Sequence, residues 1–328
     1  MKNKSKISRR DFSVQALKKA IKQRRIATFT ALFILLPVVF TLSVILFKNE
    51  NYILLSLIVL IIMMLPFFLV FELRNPRARD VVLIAIMTAI TVVANVLCTH
   101  TVPLHAGTAL VIITGISLGP EAGFLTGALS RLLCNVFDGQ GPWTPWQMVA
   151  WGIMGLLGGI AFNRIDIHAD SIFNETIQKK SENFKIILGP VLCIVAMELI
   201  GLIIQGFTGS LQEFFGIKVY IFGFTGLILG VIIQRAKLPS DAITITVFTF
   251  FVTLIIYGGL MNLANMLMLT YMDPNGSEAN LETLKAVYVT GLPYDLQHAA
   301  GAAFTMFLIG NSMLRKIERI KIKYGMLI

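Results

Sequence analysis

From Gly119 to Gly159 the chain reads GPEAGFLTGALSRLLCNVFDGQGPWTPWQMVAWGIMGLLGG, two glycine-notched apolar segments that meet at a polar, tryptophan-bearing turn. Arg131 and Asn135 stand one helical turn apart on one face, and Trp143, Trp146 and Gln147 follow across the turn. A guanidinium placed there can donate to a carboxylate, phosphate or amide of a ligand. It can equally form a structural ion pair, for which Asp295, Asp138 and Glu198 are the available acids. Trp143 and Trp146 bracket Pro145 in a loop stiffened by Gly141 and Pro142. Their indoles suit either an interfacial aromatic belt or stacking on a flat ligand, with the Gln147 amide offering hydrogen bonds beside them. Further candidates are His100 and His105 in one loop, and Asp295, Gln297 and His298 where the last apolar segment opens. Asn95, Asn262 and Asn265 either line a cavity or bond between helices. Two histidines could hold a metal or a corrinoid cobalt, but loop histidines without a carboxylate beside them are more often solvated, so no metal is assigned.

The elements that carry these residues are membrane helices. Of the residues, 56% are hydrophobic and 14% charged, and the mean hydropathy is +0.77. Uninterrupted apolar runs cover 29–47, 52–71, 81–99, 106–118, 121–137, 146–162, 186–206, 219–233, 242–270 and 296–313. Several reach the roughly 18 to 20 residues that cross a bilayer, which predicts an all-α integral membrane protein of about ten transmembrane helices. Lys and Arg positions bear on that count, because loops rich in them stay cytoplasmic. With the N-terminus inside, 24 of the 28 Lys and Arg fall in the tails and in loops 72–80, 163–185 and 234–241. Only Lys48, Lys218 and Lys285 fall outside, and Arg131 lies within a helix. The net charge of +10 then reflects topology and contact with anionic lipid, and nucleic acid is not an expected partner. The expected location is the plasma membrane, multi-pass, with both termini cytoplasmic. Residues 1–28 hold ten cations and one acid, Asp11, with apolar residues at helical spacing, the pattern of an amphipathic helix on the inner leaflet.

Soluble-enzyme signatures are absent: there is no Walker lysine loop, HExxH, GxSxG or dinucleotide fingerprint. The chain is therefore read as neither an enzyme nor an ATPase, and no cofactor is assigned to it. Cys98, Cys134 and Cys193 lie in or beside apolar helices without CxxC spacing and are read as packing residues. Ala85 and Ala89 form a small-xxx-small seam on helix 81–99, a surface that permits close helix approach by a partner or within the bundle. Gly119, Gly123, Gly127, Gly155 and Gly159 follow the same spacing logic and are read as internal packing positions.

The seam Ala85-x-x-x-Ala89, the run TALVIITGISLGPEAGFLTGALSRL at 108–132, GQGPWTPWQM at 139–148 and GLPYDLQHAAGAAF at 291–304 together resemble the substrate-binding S component of energy-coupling factor (ECF) transporters. The resemblance covers 81–163 and 241–314. It implies a six-helix core that binds a vitamin or related micronutrient at the extracytoplasmic side. That core docks through Ala85 and Ala89 on a membrane scaffold T subunit, and two cytoplasmic ATPases use ATP on its behalf. The expected organisation is then a basic segment 1–28, an extra helix pair 29–80, core 81–163, inserted helices 164–240, core 241–314 and a basic tail 315–328. The outer loops 100–105, 138–145 and 271–295 converge on the expected ligand end, where Arg131, Asn135, Trp143, Trp146, Gln147, His100, Asn95, Asn262, Asp295 and His298 form the candidate site. The enlarged chain and the GPWTPWQM loop lean toward a corrinoid such as cobalamin, with riboflavin suiting the tryptophans equally well.

Glu198, inside inserted helix 186–206, opens a competing class, since a carboxyl at membrane depth can relay protons in a secondary transporter. That class expects inverted repeats, and none is evident. A membrane enzyme would need paired acids at one depth; the dense acidic stretch Asp273 to Glu282 reads instead as an exposed loop.

Overall fold

A computed structural model of the chain describes residues 78–101, 104–162, 189–209, 214–233, 242–272 and 281–324, with Ile58, Ile61 and Leu65 as isolated helical positions. The amphipathic N-terminal segment, most of the first helix pair, the loop 163–188 and residues 273–280 of the acidic stretch lie outside the described residues. The chain divides into two compact units, Met1–Val81 and Val82–Ile328. Of the first, only the three isolated positions and the opening turn of α1 are described.

Every described element is a helix: α1 Ala78–Thr101, α2 Ala106–Leu118, α3 Pro120–Asp138, α4 Thr144–Phe162, α5 Gly189–Thr208, α6 Val219–Ile233, α7 Ala242–Val252, α8 Gly259–Met272 and α9 Leu281–Lys323. A π-helical turn, Thr253–Gly258, joins α7 to α8 without a break, and another, Phe214–Lys218, leads into α6 across a kink at Phe215 and Gly216. Among the described residues, three stretches are long and apolar enough to cross a membrane, Ala78–Thr99, Thr144–Phe162 and Ala242–Leu269, and the shorter α2, α5 and α6 are apolar as well. Exposed Leu and Ile on α1, α5, α6 and α9 would be unfavourable against water at about 25 cal/mol per Å² and cost nothing against lipid. This is an all-α membrane protein.

The centre is the trio α2, α3 and α4, with α9 packed along α2. All thirteen residues of α2 are buried. The turn between α2 and α3 is one residue, Gly119, at φ 103°, a left-handed conformation that disfavours a side chain. Its N–H closes α2 on Gly115 O at 3.0 Å, and Pro120 opens α3, where a missing N–H leaves no bond unmade. Then α3 and α4 run backbone against backbone. A Cβ on Gly123 would come within 2.5 Å of Gly155 O, so both positions must be glycine for the helices to sit this close. The glycine stripes read from the sequence are thus internal packing surfaces. Gly226 on α6 plays the same part against Ile194 and Cys193 of α5.

Ala85 and Ala89 point the other way. On α1, Leu83, Ile84, Met87, Thr91, Val92 and Asn95 are buried, whereas Ala85 and Ala89 are exposed among Val81, Val82, Ile86, Ile90 and Val93. Among the described residues, the small-residue seam packs against no other helix of the bundle.

One expectation is overturned. Residues 281–295, read as part of an outer loop, are the first turns of α9, which continues unbroken for 43 residues. Asp295, Gln297 and His298 consequently sit within a helix and do not open one. Pro293, inside α9, removes one backbone donor, leaving the Val289 carbonyl without its helical partner, while the flanking turns stay helical. At the far end of α9, Lys321 Nζ donates to Ser117 O of α2 at 2.7 Å. Burial lowers the Lys321 ammonium from its ordinary value, and nearby Glu318 opposes that.

Candidate ligand site

A cavity of about 370 Å³ opens where α1 ends and α2 begins. Its wall takes Thr99 from α1, Leu104 and His105 from the link, Tyr257 from the π turn, and Tyr294, Asp295, Gln297 and His298 from α9. The π turn matters here because its extra residue widens the helix locally, and Tyr257 is the side chain it delivers. Imidazole faces imidazole across the wall: the His105 and His298 rings are 4.0 Å apart, and the Tyr257 ring stands edge-on to His298 at 4.2 Å. His298 Nε2 shares a hydrogen bond with Thr108 Oγ1 of α2 at 2.9 Å. His105 precedes the first turn of α2, where burial, reinforced by the Arg131 charge, holds its imidazole below the usual value.

Behind Asp295 lies a second polar layer. Asn262 Nδ2 of α8 donates to Asp295 Oδ2 at 2.7 Å, and the Tyr220 hydroxyl of α6 donates to the same oxygen. Tyr220 packs edge-on against Tyr288 at 4.8 Å, and the Tyr288 hydroxyl donates to Gly259 O at 2.8 Å. Gly258 closes the layer, since a Cβ there would fall 2.7 Å from the Asp295 carboxyl.

The cluster predicted around Arg131 forms, but as a neighbour of the cavity. Arg131 Nε donates to Gln147 Oε1 at 2.9 Å, and Asn135 Nδ2 donates to that oxygen at 2.8 Å and to Thr144 Oγ1 at 3.0 Å. Gln147 also bonds the Tyr257 side chain, which is the cluster's one link to the wall. The guanidinium lies 5.4 Å from the centre of the Trp151 ring and 3.6 Å from an Asp138 carboxylate oxygen. Of the three acids weighed as its partner, Asp138 is the one in reach. Neither predicted indole lines the cavity: Trp146 is buried in the first turn of α4, and half-buried Trp143 covers Gly141. Asn95 is buried against Gly107 and reaches the Cys134 thiol. Asn265 is exposed, and the His100 side chain lies outside the described residues. Glu198, half-buried, faces Gly223 and Ile255 without a hydrogen-bond partner among the described residues. The three cysteines are free, and no cluster of metal-ligating side chains occurs among the described residues.

Tyr257, Tyr294, Tyr220, Thr108 and Trp151 were not singled out in the sequence. Tyr294 falls in the stretch read as an outer loop, and each of the others sits in an apolar run where a Tyr, Thr or Trp reads as ordinary membrane-helix composition. The signal for Tyr257 was the glycine pair that follows it, Gly258 and Gly259, and it points to a local irregularity only in hindsight.

Residues 75–215 match the family model of the ECF-type riboflavin transporter, S component. The chain resembles an ECF S component. No curated protein and no solved structure matches it. The S-component-like stretch starts just before α1 and runs through α5. It therefore takes in one helix read as inserted, and it stops short of α7 to α9, which carry Tyr257 and Asp295. The S-component-like helices supply the α1 and α2 side of the cavity, and the rest of the chain supplies the other.

Proposed function

We propose that this chain is the substrate-binding membrane subunit of an ECF transporter, capturing a vitamin at the extracytoplasmic face for uptake driven by ATP hydrolysis in partner subunits. The observation that carries the reading is a mixed aromatic and polar cavity at the end of α1, in a chain whose residues 75–215 match an S-component family. In the ten-helix topology that end faces outward and both termini face the cytoplasm. The exposed seam of Ala85 and Ala89 supports docking on a scaffold T subunit, which in turn couples to two ATPases.

The family match names riboflavin, and the cavity's size points the same way. About 370 Å³ is at the small end of ligand pockets, suited to a flat vitamin of one to three rings and too small for a corrinoid macrocycle. The lean toward cobalamin has no support in the cavity.

A second reading, proton-coupled transport of a small solute, draws on Glu198 alone. The test is ligand binding by the purified protein in detergent, read as thermal stabilisation against riboflavin, thiamine, biotin, folate, cobalamin and cobinamide. Stabilisation by one of them carries the first reading. No response, together with solute uptake that an ionophore collapses and ATP depletion does not, carries the second.

A further inference from the structure

Helix α6 lies beyond the S-component-like stretch 75–215 and belongs to the pair read as inserted, and it contributes one buried side chain to the cavity's acid. Lys218 Nζ donates to Gln205 Oε1 at 2.5 Å, tying the end of α5 to the turn that leads into α6. The kink at Phe215 and Gly216 comes just before α6, and Tyr220 lies in its first turn. That phenol is 5% exposed, an expensive place for a hydroxyl unless it has a partner. Its partner is Asp295 Oδ2, which Asn262 Nδ2 also reaches. Two donors on one oxygen fix the plane of the carboxyl and leave Oδ1, which has no partner among the described residues, as the oxygen left for a ligand.

The rest of the wall sets what that ligand is. Among the described residues it carries no Lys or Arg. Arg131, close by, is engaged by Gln147 and lies beside Asp138. Burial disfavours the charged form of His105. An anionic ligand would meet one carboxyl and no opposing cation, whereas an N–H or cationic nitrogen would meet a free acceptor. We infer that Tyr220, supplied by the inserted pair, positions Asp295 to accept a hydrogen bond from a neutral or cationic nitrogen heterocycle, and that the site rejects carboxylated vitamins. This rests on the vitamin-capture reading and adds the substrate class and a role for the insertion.

The experiment compares wild type, Tyr220→Phe and Asp295→Asn of the full chain in detergent, each with riboflavin and thiamine, which lack a carboxylate, and with biotin and folate, which carry one. The expected result is binding of riboflavin or thiamine by wild type and of neither carboxylated vitamin. Both variants then lose about tenfold or more in affinity, the scale of one hydrogen bond of about 1.4 kcal/mol. For riboflavin, the N3-methyl analogue supplies a readout that a merely structural defect would not move. Wild type prefers the parent N–H compound, and Tyr220→Phe narrows that preference. For thiamine, the same readout is its ratio to the analogue lacking the exocyclic amine. Wild-type affinity in Tyr220→Phe, or tight binding of biotin or folate by Asp295→Asn and wild type alike, overturns the inference and leaves vitamin capture standing. Binding of none of the four by folded wild type overturns both.

Discussion

The side-chain oxygen of Gln147 takes the Nε–H of Arg131 at 2.9 Å, so the half-buried cation of α3 acts on the cavity at second hand. Asn135 shares that oxygen, and Gln147 passes the arrangement to Tyr257. Arg131 is a positioning residue by this geometry, and its substitution should be felt where Tyr257 touches the ligand.

Arg131→Ala should weaken ligand binding about tenfold while lowering stability by about 0.5 to 1.5 kcal/mol, the net worth of one hydrogen bond, since Asn135 still donates to the Gln147 oxygen. Gln147→Glu restores a charge partner for Arg131 but removes the donor to Tyr257. It should keep thermal stability and lose affinity, and calorimetric titration alongside a melting curve separates the two effects. Equal affinity in Gln147→Glu and wild type would detach the cluster from the site.

Ala85→Trp combined with Ala89→Trp should abolish copurification with a scaffold T subunit and leave ligand binding and melting temperature unchanged. The reason is the exposure of both side chains on α1, where added bulk meets no other helix among the described residues. Retained copurification removes the docking role.

Gly155→Val places a branched side chain against the Gly123 carbonyl. Because α3 and α4 touch through backbone there, no rotamer relieves the clash. The expected loss is at the upper end of the about 1 to 3 kcal/mol typical of overpacking, or beyond it. Detergent-solubilised yield and melting temperature should both fall; a wild-type melt would show that α3 and α4 are not in backbone contact.

Acidification should loosen the cavity end through His105. Its folded imidazole binds a proton less readily than the unfolded chain does, so the associated stability is present above about pH 6.5 and lost as pH falls below it. His298, Tyr257, Asp295 and Arg131 surround it, and among them only Arg131 carries a fixed positive charge. Melting temperature measured from pH 8 to pH 5 should decline, and His105→Phe, which keeps the ring contact with His298, should flatten the decline. A parallel slope in the variant assigns the pH response elsewhere.

Much of this was legible in the sequence because apolar run length and glycine spacing are local properties. Both bounds of α2 and of α6 follow from where apolar character stops, and Gly119 with Pro120 marks the tight turn. The packing direction of the glycine stripes was also readable, since three glycines in register have few uses besides close approach. What did not read out is tertiary. The last helix reads from where its apolar run begins, at 296, whereas the polar stretch 281–295 is carried into helix by its continuity with that run. The cavity wall joins residues near positions 100, 257 and 297, a juxtaposition no local pattern encodes. The tryptophans of the 139–148 turn drew attention by their rarity, yet the phenols of Tyr257 and Tyr294 stand at the cavity.

From Tyr294 onward α9 holds no further proline as far as Lys323, which makes about 44 Å of uninterrupted rod at 1.5 Å per residue. One end of that rod bears the ligand wall and the other is latched through Lys321 to the foot of α2. Any tilt at the cavity wall is therefore carried along the helix to its Lys321 end, with no proline between to absorb it.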